Sequence, residues 1–528
     1  MSTTTGGGTF ESILFPAQAV PAEPASRESL HDLALDVLCA PHGEDPSRAG
    51  RALCTPLGDV ETVRYRQEIF RALKFPALRE LVGSFVSAVQ TSIRTDEQAR
   101  HSSYPYQAEL HRLRGLSAYV MAVDELGTAL GPALGSSGVT SRGWSGLVQY
   151  VDALRSSPAF ANLRTSCTQV WAGISAIRYN LLVRGPKVSV GPVDDELDLE
   201  TRVVSVFERF QQGGQARHCV TPEQPGLEHV QGWILALVAK VRPEPFEALV
   251  QLVARTAHYR DQGLEEFVSD MGFYEACLRV LDPLEAAGLP VCFPEVTTRT
   301  DRFSVRDGWD LALAARLVPA GESVTTNDLS LDSPERILVI SGPNQGGKTT
   351  TARMFGQIHH LAAIGSPVPG RSAHVMLCDR VFTLFEREES LEDPQGRLGS
   401  ELRRVHEVIE AMTNHSVVVM NEAFASTTWA DSEVLTREIL QRIRARGSLA
   451  VCVTFIDELS RLNEATVSMV SSVDPADPSV RTHRVVRSRA DGRAYARSLA
   501  RKHGLLIDQV RADVQRSTAD PTPRRAEG

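Results

Sequence analysis

Four apolar residues, Ile337-Leu338-Val339-Ile340, run into Ser341-Gly342-Pro343-Asn344-Gln345-Gly346-Gly347-Lys348-Thr349-Thr350. No other stretch limits the fold as tightly. After the loop, Phe355, Ile358, Leu361 and Ala362 recur at helical spacing. A buried strand that feeds a helix through a glycine-rich loop belongs to an α/β layer. The loop meets G-x-x-x-x-G-K-[ST] at Gly342, Gly347, Lys348 and Thr349. In that pattern the glycines let backbone N–H groups close around phosphate oxygens. The lysine reaches the β- and γ-phosphates, and the hydroxyl ligates Mg²⁺. The helix N-terminus behind the loop adds its positive dipole end. Residues Gly342, Pro343, Asn344, Gln345, Gly346, Gly347, Lys348, Thr349 and Thr350 are therefore candidate nucleotide-binding residues, with ATP and Mg²⁺ the expected cofactors.

A phosphate loop of this kind needs a polar strand end to hold the metal and polarise an attacking water. Val417-Val418-Val419-Met420 is a buried-strand pattern that ends in Asn421-Glu422. Glu422 is the candidate general base or water-orienting residue. Asn421 stands where a metal-side aspartate is usual. Its amide oxygen accepts a hydrogen bond but brings no charge, which predicts a weaker Mg²⁺ site and slow turnover. Lys348, Asn421 and Glu422 are the candidate catalytic residues, and Thr349 and Asn421 the candidate metal ligands.

At 528 residues the chain exceeds one compact core, and about 150 residues per domain predicts two to four domains. The net charge of −9 argues against a surface uniformly coated in nucleic acid, although footprints are local. The eight cysteines form no C-x-x-C pair, which points to reduced thiols rather than a disulfide or zinc framework. No apolar run approaches the roughly 18 residues that span a bilayer. Met1–Gly8 lacks the basic-then-apolar order of a signal peptide, so the cytoplasm is expected.

The grammar changes once along the chain. Residues 1–27 and 516–528 are poor in apolar residues and are expected to be disordered tails. Residues 28–300 read as mainly helical, as over Val63–Leu73, Ala108–Leu126 and Leu197–Phe210. A β-hairpin interrupts them near 177–190, around Gly185-Pro186-Lys187. Beyond a boundary near Pro294–Arg302, strands at 337–341, 375–378, 381–385, 416–420 and 449–454 alternate with helices at 349–364, 401–413, 431–446 and 493–503. The expected fold class is α followed by α/β, with residues 301–515 forming the P-loop domain.

Together these segments resemble the ATPase domain of the MutS family, the ABC-type ATPases of DNA mismatch repair. The loop Ser341–Thr350 is similar to T-G-P-N-M-G-G-K-S-T, Ala362–Pro369 to A-x-I-G-x-x-V-P, and Met420-Asn421-Glu422 to M-D-E. Glu401-Leu402 with Val408-Ile409, Thr454–Leu459 and Gly492–Ala500 follow in the family's order. Earlier, Pro56-Leu57-Gly58-Asp59, Arg64-Tyr65-Arg66-Gln67 and Cys292-Phe293-Pro294-Glu295 resemble the helical core-and-lever domain. The resemblance implies a divergent short member that binds DNA and closes as a homodimer through its ATPase domains, with no membrane partner. The lever-like pattern begins near residue 28, so the mismatch-reading wedge and connector domains are expected to be missing and mismatch preference to be weak. Gly396-Arg397 stands where the trans-acting Ser-Thr of the partner's loop is usual, which makes both residues candidates for a trans site. Phe455 takes the place of the switch histidine, and Val324 that of the aromatic that stacks on adenine.

Arg493, Arg497 and Arg501 recur every four residues, and Arg481–Arg525 holds twelve Lys/Arg against four Asp/Glu. Such a stripe repels itself unless something anionic lies opposite. DNA backbone, an acidic partner surface and a solvated helix face are the three readings, so these arginines are candidate DNA or partner contacts. Two other functions stay open beside a DNA-dependent ATPase. One is an ABC-type engine acting on a protein or membrane partner, although an L-S-G-G-Q signature is missing. The other is a nucleotide switch or scaffold that binds without turnover, which Asn421 and Phe455 favour.

Overall fold

The computed structural model describes residues 10–16, 23–39, 47–184, 187–192, 228–386, 396–425, 427–474, 476–477, 480–490 and 507. The backbone divides into two compact units. One comprises Met1–Glu11 and Arg71–Val268, the other Ser12–Phe70 and Ser269–Gly528. This division cuts the chain differently from a linear boundary near Pro294–Arg302. Among the described residues no helix is long and apolar enough to cross a membrane.

The first unit is helical. Pro76–His101 and Pro105–Ser137 are its longest helices, followed by Arg142–Ser156, Pro158–Ser175, Glu228–Val241 and Pro243–Arg255. Pro76, Pro105, Pro158 and Pro243 open their helices, where a missing N–H costs nothing and the fixed φ is already helical. Leu113, Leu116, Val120, Val123 and Leu126 make one buried stripe at the spacing a helix needs to bury one face. The predicted hairpin is present: Tyr179–Arg184 pairs antiparallel with Lys187–Pro192, Val183 opposite Val188. The helix expected at Leu197–Phe210 lies outside the described residues.

In the second unit a six-stranded sheet carries the phosphate loop. Its strands are β1 (Ile337–Ser341), β2 (Val381–Phe385), β3 (Val417–Asn421), β4 (Leu449–Val453), β5 (Thr466–Val473) and β6 (Arg481–Arg487). The spatial order is β2-β3-β4-β1-β5-β6, parallel throughout except for β6, which runs antiparallel to β5. Helices α1 (Lys348–Ala363), α2 (Gly396–Ala411) and α3 (Trp429–Arg446) complete the layer. Ile337, Val339, Val418, Met420, Ala450 and Cys452 form one core with Val405, Val408 and Ile409 of α2 and Ile439, Leu440 and Ile443 of α3. On the opposite face α1 packs against β3 and β4, its Gly356 backing onto Val419. Burial on both faces explains why β1 and β4 are fully buried along their length and read as unbroken apolar runs.

A four-stranded sheet stands beside it: Glu295–Thr297, Ser372–Met376, Arg302–Gly308 and Asn327–Asp332, in that spatial order. Only the strand expected at 375–378 anticipates it, three residues late. The parallel pairing of Glu295–Thr297 with His374–Met376 knits the chain just before 300 into this unit.

Part of the stretch expected to be a disordered tail is ordered. Ile13 and Leu14 are fully buried. The carbonyl of Ser12 accepts from Tyr65 Oη at 2.9 Å, that of Ile13 from Tyr274 Oη at 2.6 Å, and that of Leu14 from Arg66 Nε at 3.0 Å. An apolar triplet inside a polar segment gains a core position only when buried donors satisfy its carbonyls. Arg66 also donates to Ile364 O at 2.8 Å, just past the end of α1. Burial pulls the pKa of its guanidinium down to about 10, and its Cζ lies 4.9 Å and 4.8 Å from the Phe15 and Phe273 ring centres.

Candidate phosphate-loop site

The loop between β1 and α1 takes a shape that only its own sequence allows. Gly347 caps α1 with φ +91°, a left-handed conformation that costs L-residues with a Cβ about 1 kcal/mol or more. At Gly346 the constraint is space: a Cβ would stand 2.0 Å from Ser471 Oγ and 3.0 Å from Pro343 O. Ser471 is fully buried on β5 and donates to Gly346 O at 2.6 Å. The neighbouring strand thus fixes the loop from behind and leaves its N-terminal amides at the mouth of α1, a cradle suited to phosphate.

Lys348 opens α1 and is buried. Its Nζ donates to Gly342 O at 2.9 Å and to Asn344 Oδ1 at 3.3 Å. Glu422 Oε1 lies 3.9 Å away, at the outer limit of an ion pair. The Phe455 ring covers the same ammonium, its centre 4.0 Å from Nζ, although Phe455 itself is 52% exposed. Burial lowers the ammonium's pKa, Glu422 partly offsets that, and Arg481 lowers it further. For Glu422 burial raises the pKa, Lys348 opposes it and Glu386 adds to it. A carboxylate held this way is a stronger base than a solvated one.

Glu422 follows β3 with φ +52°, uncommon for a residue with a long side chain. Its N–H donates to Val453 O at 3.0 Å, which holds the turn against β4. One residue earlier, Asn421 Oδ1 accepts from Thr349 Oγ1 at 2.8 Å. Two neutral oxygens therefore sit together at the ends of β3 and α1. They suit an Mg²⁺ that draws its remaining ligands from phosphate and water.

Lys348 and Thr349 at the start of α1 and Asn421 and Glu422 at the end of β3 are thus brought together, and Gly342–Gly347 form the loop around them. Thr350 sits half-buried in the first turn of α1. Gly396 begins α2, which starts five residues before the expected 401. The side chain of Arg397 lies outside the description, as do Arg493, Arg497 and Arg501. Val324 is partly exposed in the coil between Gly321 and the strand at Asn327.

Several residues at the site carry no local signal. Ser471 reaches it only because β5 is the neighbour of β1. Asn327 brackets β6, donating to His483 O at 3.3 Å and accepting from Val485 N at 2.7 Å. The His483 carbonyl stands 3.3 Å from where a Cβ on Gly347 would lie.

Comparison with known proteins adds a second line. A profile of the MutS domain V family matches residues 338–511. The chain is 30% identical to the Endonuclease MutS2 of Gemmatimonas aurantiaca over 237 residues, 44% of this chain and 28% of that protein. It is 27% identical to the DNA mismatch repair protein MutS of an Exiguobacterium species over 325 residues, 60% of this chain and 37% of that protein. The Endonuclease MutS2 of Thermus thermophilus is 30% identical over 184 residues, 34% of this chain and 24% of that protein. The chain therefore spans between a quarter and little more than a third of the length of these curated relatives.

Proposed function

Because the chain belongs to the MutS family through the domain at residues 338–511, we propose that it is an ATP-binding protein acting on DNA in repair, with slow ATP hydrolysis and nucleotide-driven closure of a homodimer. The observation that carries this reading is the meeting of Lys348, the Thr349–Asn421 pair and Glu422 around a loop too tight for any Cβ at position 346. Lys348 and the loop amides hold the phosphates, and Thr349 and Asn421 hold Mg²⁺. When bound, Mg²⁺ neutralises charge on the β- and γ-phosphates. Glu422 Oε1 takes a proton from the attacking water, with Lys348 beside it. The relatives are named for DNA mismatch repair and as endonucleases, and DNA is the partner proposed here, bound mainly through its backbone and with little preference for a mismatch. Arg493, Arg497 and Arg501 are proposed as its contacts. Residues 28–300 are proposed as the helical core-and-lever domain and residues 301–515 as the ATPase domain.

The test is ATP turnover with plain, branched and mismatched duplexes. Turnover should be slow, rise with DNA and show less than about tenfold preference (1.4 kcal/mol) for a mismatch. DNA binding should fall with salt at a slope near minus the number of phosphates neutralised. Turnover indifferent to every DNA overturns the reading. One pair of observations favours a second reading, a switch that binds ATP without turnover: the uncharged Asn421 at the metal position and the Phe455 ring on Lys348. It predicts nucleotide-dependent dimerisation with no phosphate release.

A further inference from the structure

A second cation stands at the phosphate loop. Arg481 opens β6, and its Nε donates to the Asn344 carbonyl at 3.3 Å. The strand that carries it is fixed to its surroundings on both sides. Thr482 Oγ1 and Ser472 Oγ of β5 lie 2.6 Å apart, and Val485 N donates to Asn327 Oδ1 at 2.7 Å. Arg481 is thus held by a strand edge against the loop and is not at the tip of a free hairpin.

Lys348 shows which end of the loop this is. Its ammonium bonds the side chain of Asn344, while Arg481 bonds the backbone carbonyl of the same residue. The lysine of such a loop serves the β- and γ-phosphates, and Glu422 lies beside it. The Asn344 end is therefore the end of the terminal phosphate. A guanidinium offers a planar fork that matches phosphate oxygens two at a time, and Arg481 stands near enough to the Lys348 ammonium for their like charges to repel.

We propose that Arg481 binds the terminal phosphate of the nucleotide from within the same chain and makes the site prefer a triphosphate to a diphosphate. The proposal rests on the reading of the loop as a nucleotide site. It also supplies the positive charge at the γ-phosphate in cis, independently of any residue that a second copy brings.

Calorimetric titration of the 528-residue chain with Mg²⁺ and either ADP or a non-hydrolysable ATP analogue tests it. Arg481→Ala should weaken the triphosphate about tenfold (1.4 kcal/mol) and ADP less than about threefold. Arg481→Lys, which keeps the charge and loses the fork, should recover part of the difference. Equal losses for both nucleotides, with a lower melting temperature in their absence, would mean that Arg481 only braces Asn344, and the proposal fails. Unchanged affinities for both nucleotides overturn it as well. A wild-type chain that binds neither nucleotide refutes the nucleotide-site reading itself, before any variant is compared.

Discussion

Gly346→Ala isolates the packing that shapes the loop. The new methyl would stand 2.0 Å from Ser471 Oγ and 3.0 Å from Pro343 O, so Ser471 must turn away and release its 2.6 Å bond to Gly346 O. Losing that buried hydrogen bond costs about 1–1.5 kcal/mol, and overpacking adds about 1–3 kcal/mol. Gly346→Ala alone should therefore cost about 2–4 kcal/mol in the unit that holds the loop. Ser471→Gly removes both atoms that the methyl strikes on β5 and costs about 1.5–2.5 kcal/mol by itself, through the lost bond and a glycine in a strand. The double variant should cost little more than Ser471→Gly, leaving only the Pro343 contact. The coupling between the two positions should then be about 1–3 kcal/mol in the favourable direction. Urea-dependent hydrogen exchange of peptides from β1 and α1 measures all four proteins locally, without treating the chain as one cooperative unit. A Gly346→Ala chain within about 0.5 kcal/mol of wild type, or purely additive costs in the double variant, would refute the account of the loop.

Glu422→Gln should abolish ATP turnover in a phosphate-release assay and leave nucleotide affinity intact, whereas Asn421→Asp should raise turnover or lower the Mg²⁺ needed; normal turnover in Glu422→Gln removes Glu422 as the base. Burial holds the His359 ring on α1 down to about 4, only partly offset by its bond to the Phe355 carbonyl. The unfolded chain therefore takes up the proton first as pH falls, and the stability present above pH 6.5 is lost toward pH 4, by about 3 kcal/mol in all. His359→Phe should flatten that part of the profile in urea-dependent exchange of α1, leaving the contribution of His360, which burial also lowers; an unchanged slope contradicts the assignment. If Arg397 acts in trans, mixing Arg397→Ala chains with Lys348→Ala chains should restore part of the turnover through one intact composite site per dimer, and no recovery on mixing ends the trans role.

The sequence by itself determined those features whose bonding partners are near neighbours in the chain. The strand, loop and first turn from Ile337 to Thr350, the strand end at Asn421-Glu422 and the hairpin at 179–192 were all legible. In each, periodicity, glycine placement and turn chemistry act within about ten residues. Tertiary structure decided the rest. Ile13 and Leu14 lie in a stretch whose composition suggests a tail, and they are buried only because Tyr65, Arg66 and Tyr274 bring donors to that backbone. Strands Arg302–Gly308, Thr466–Val473 and Arg481–Arg487 passed unnoticed because their short, mixed-polarity patterns gain meaning only beside the strands they pair with. Ser471 and Arg481 reach the phosphate loop from more than 100 residues away. Sheet order placed them there: β5 is the neighbour of β1 and β6 of β5, an arrangement set by burying both faces of a parallel sheet and carried by no local motif.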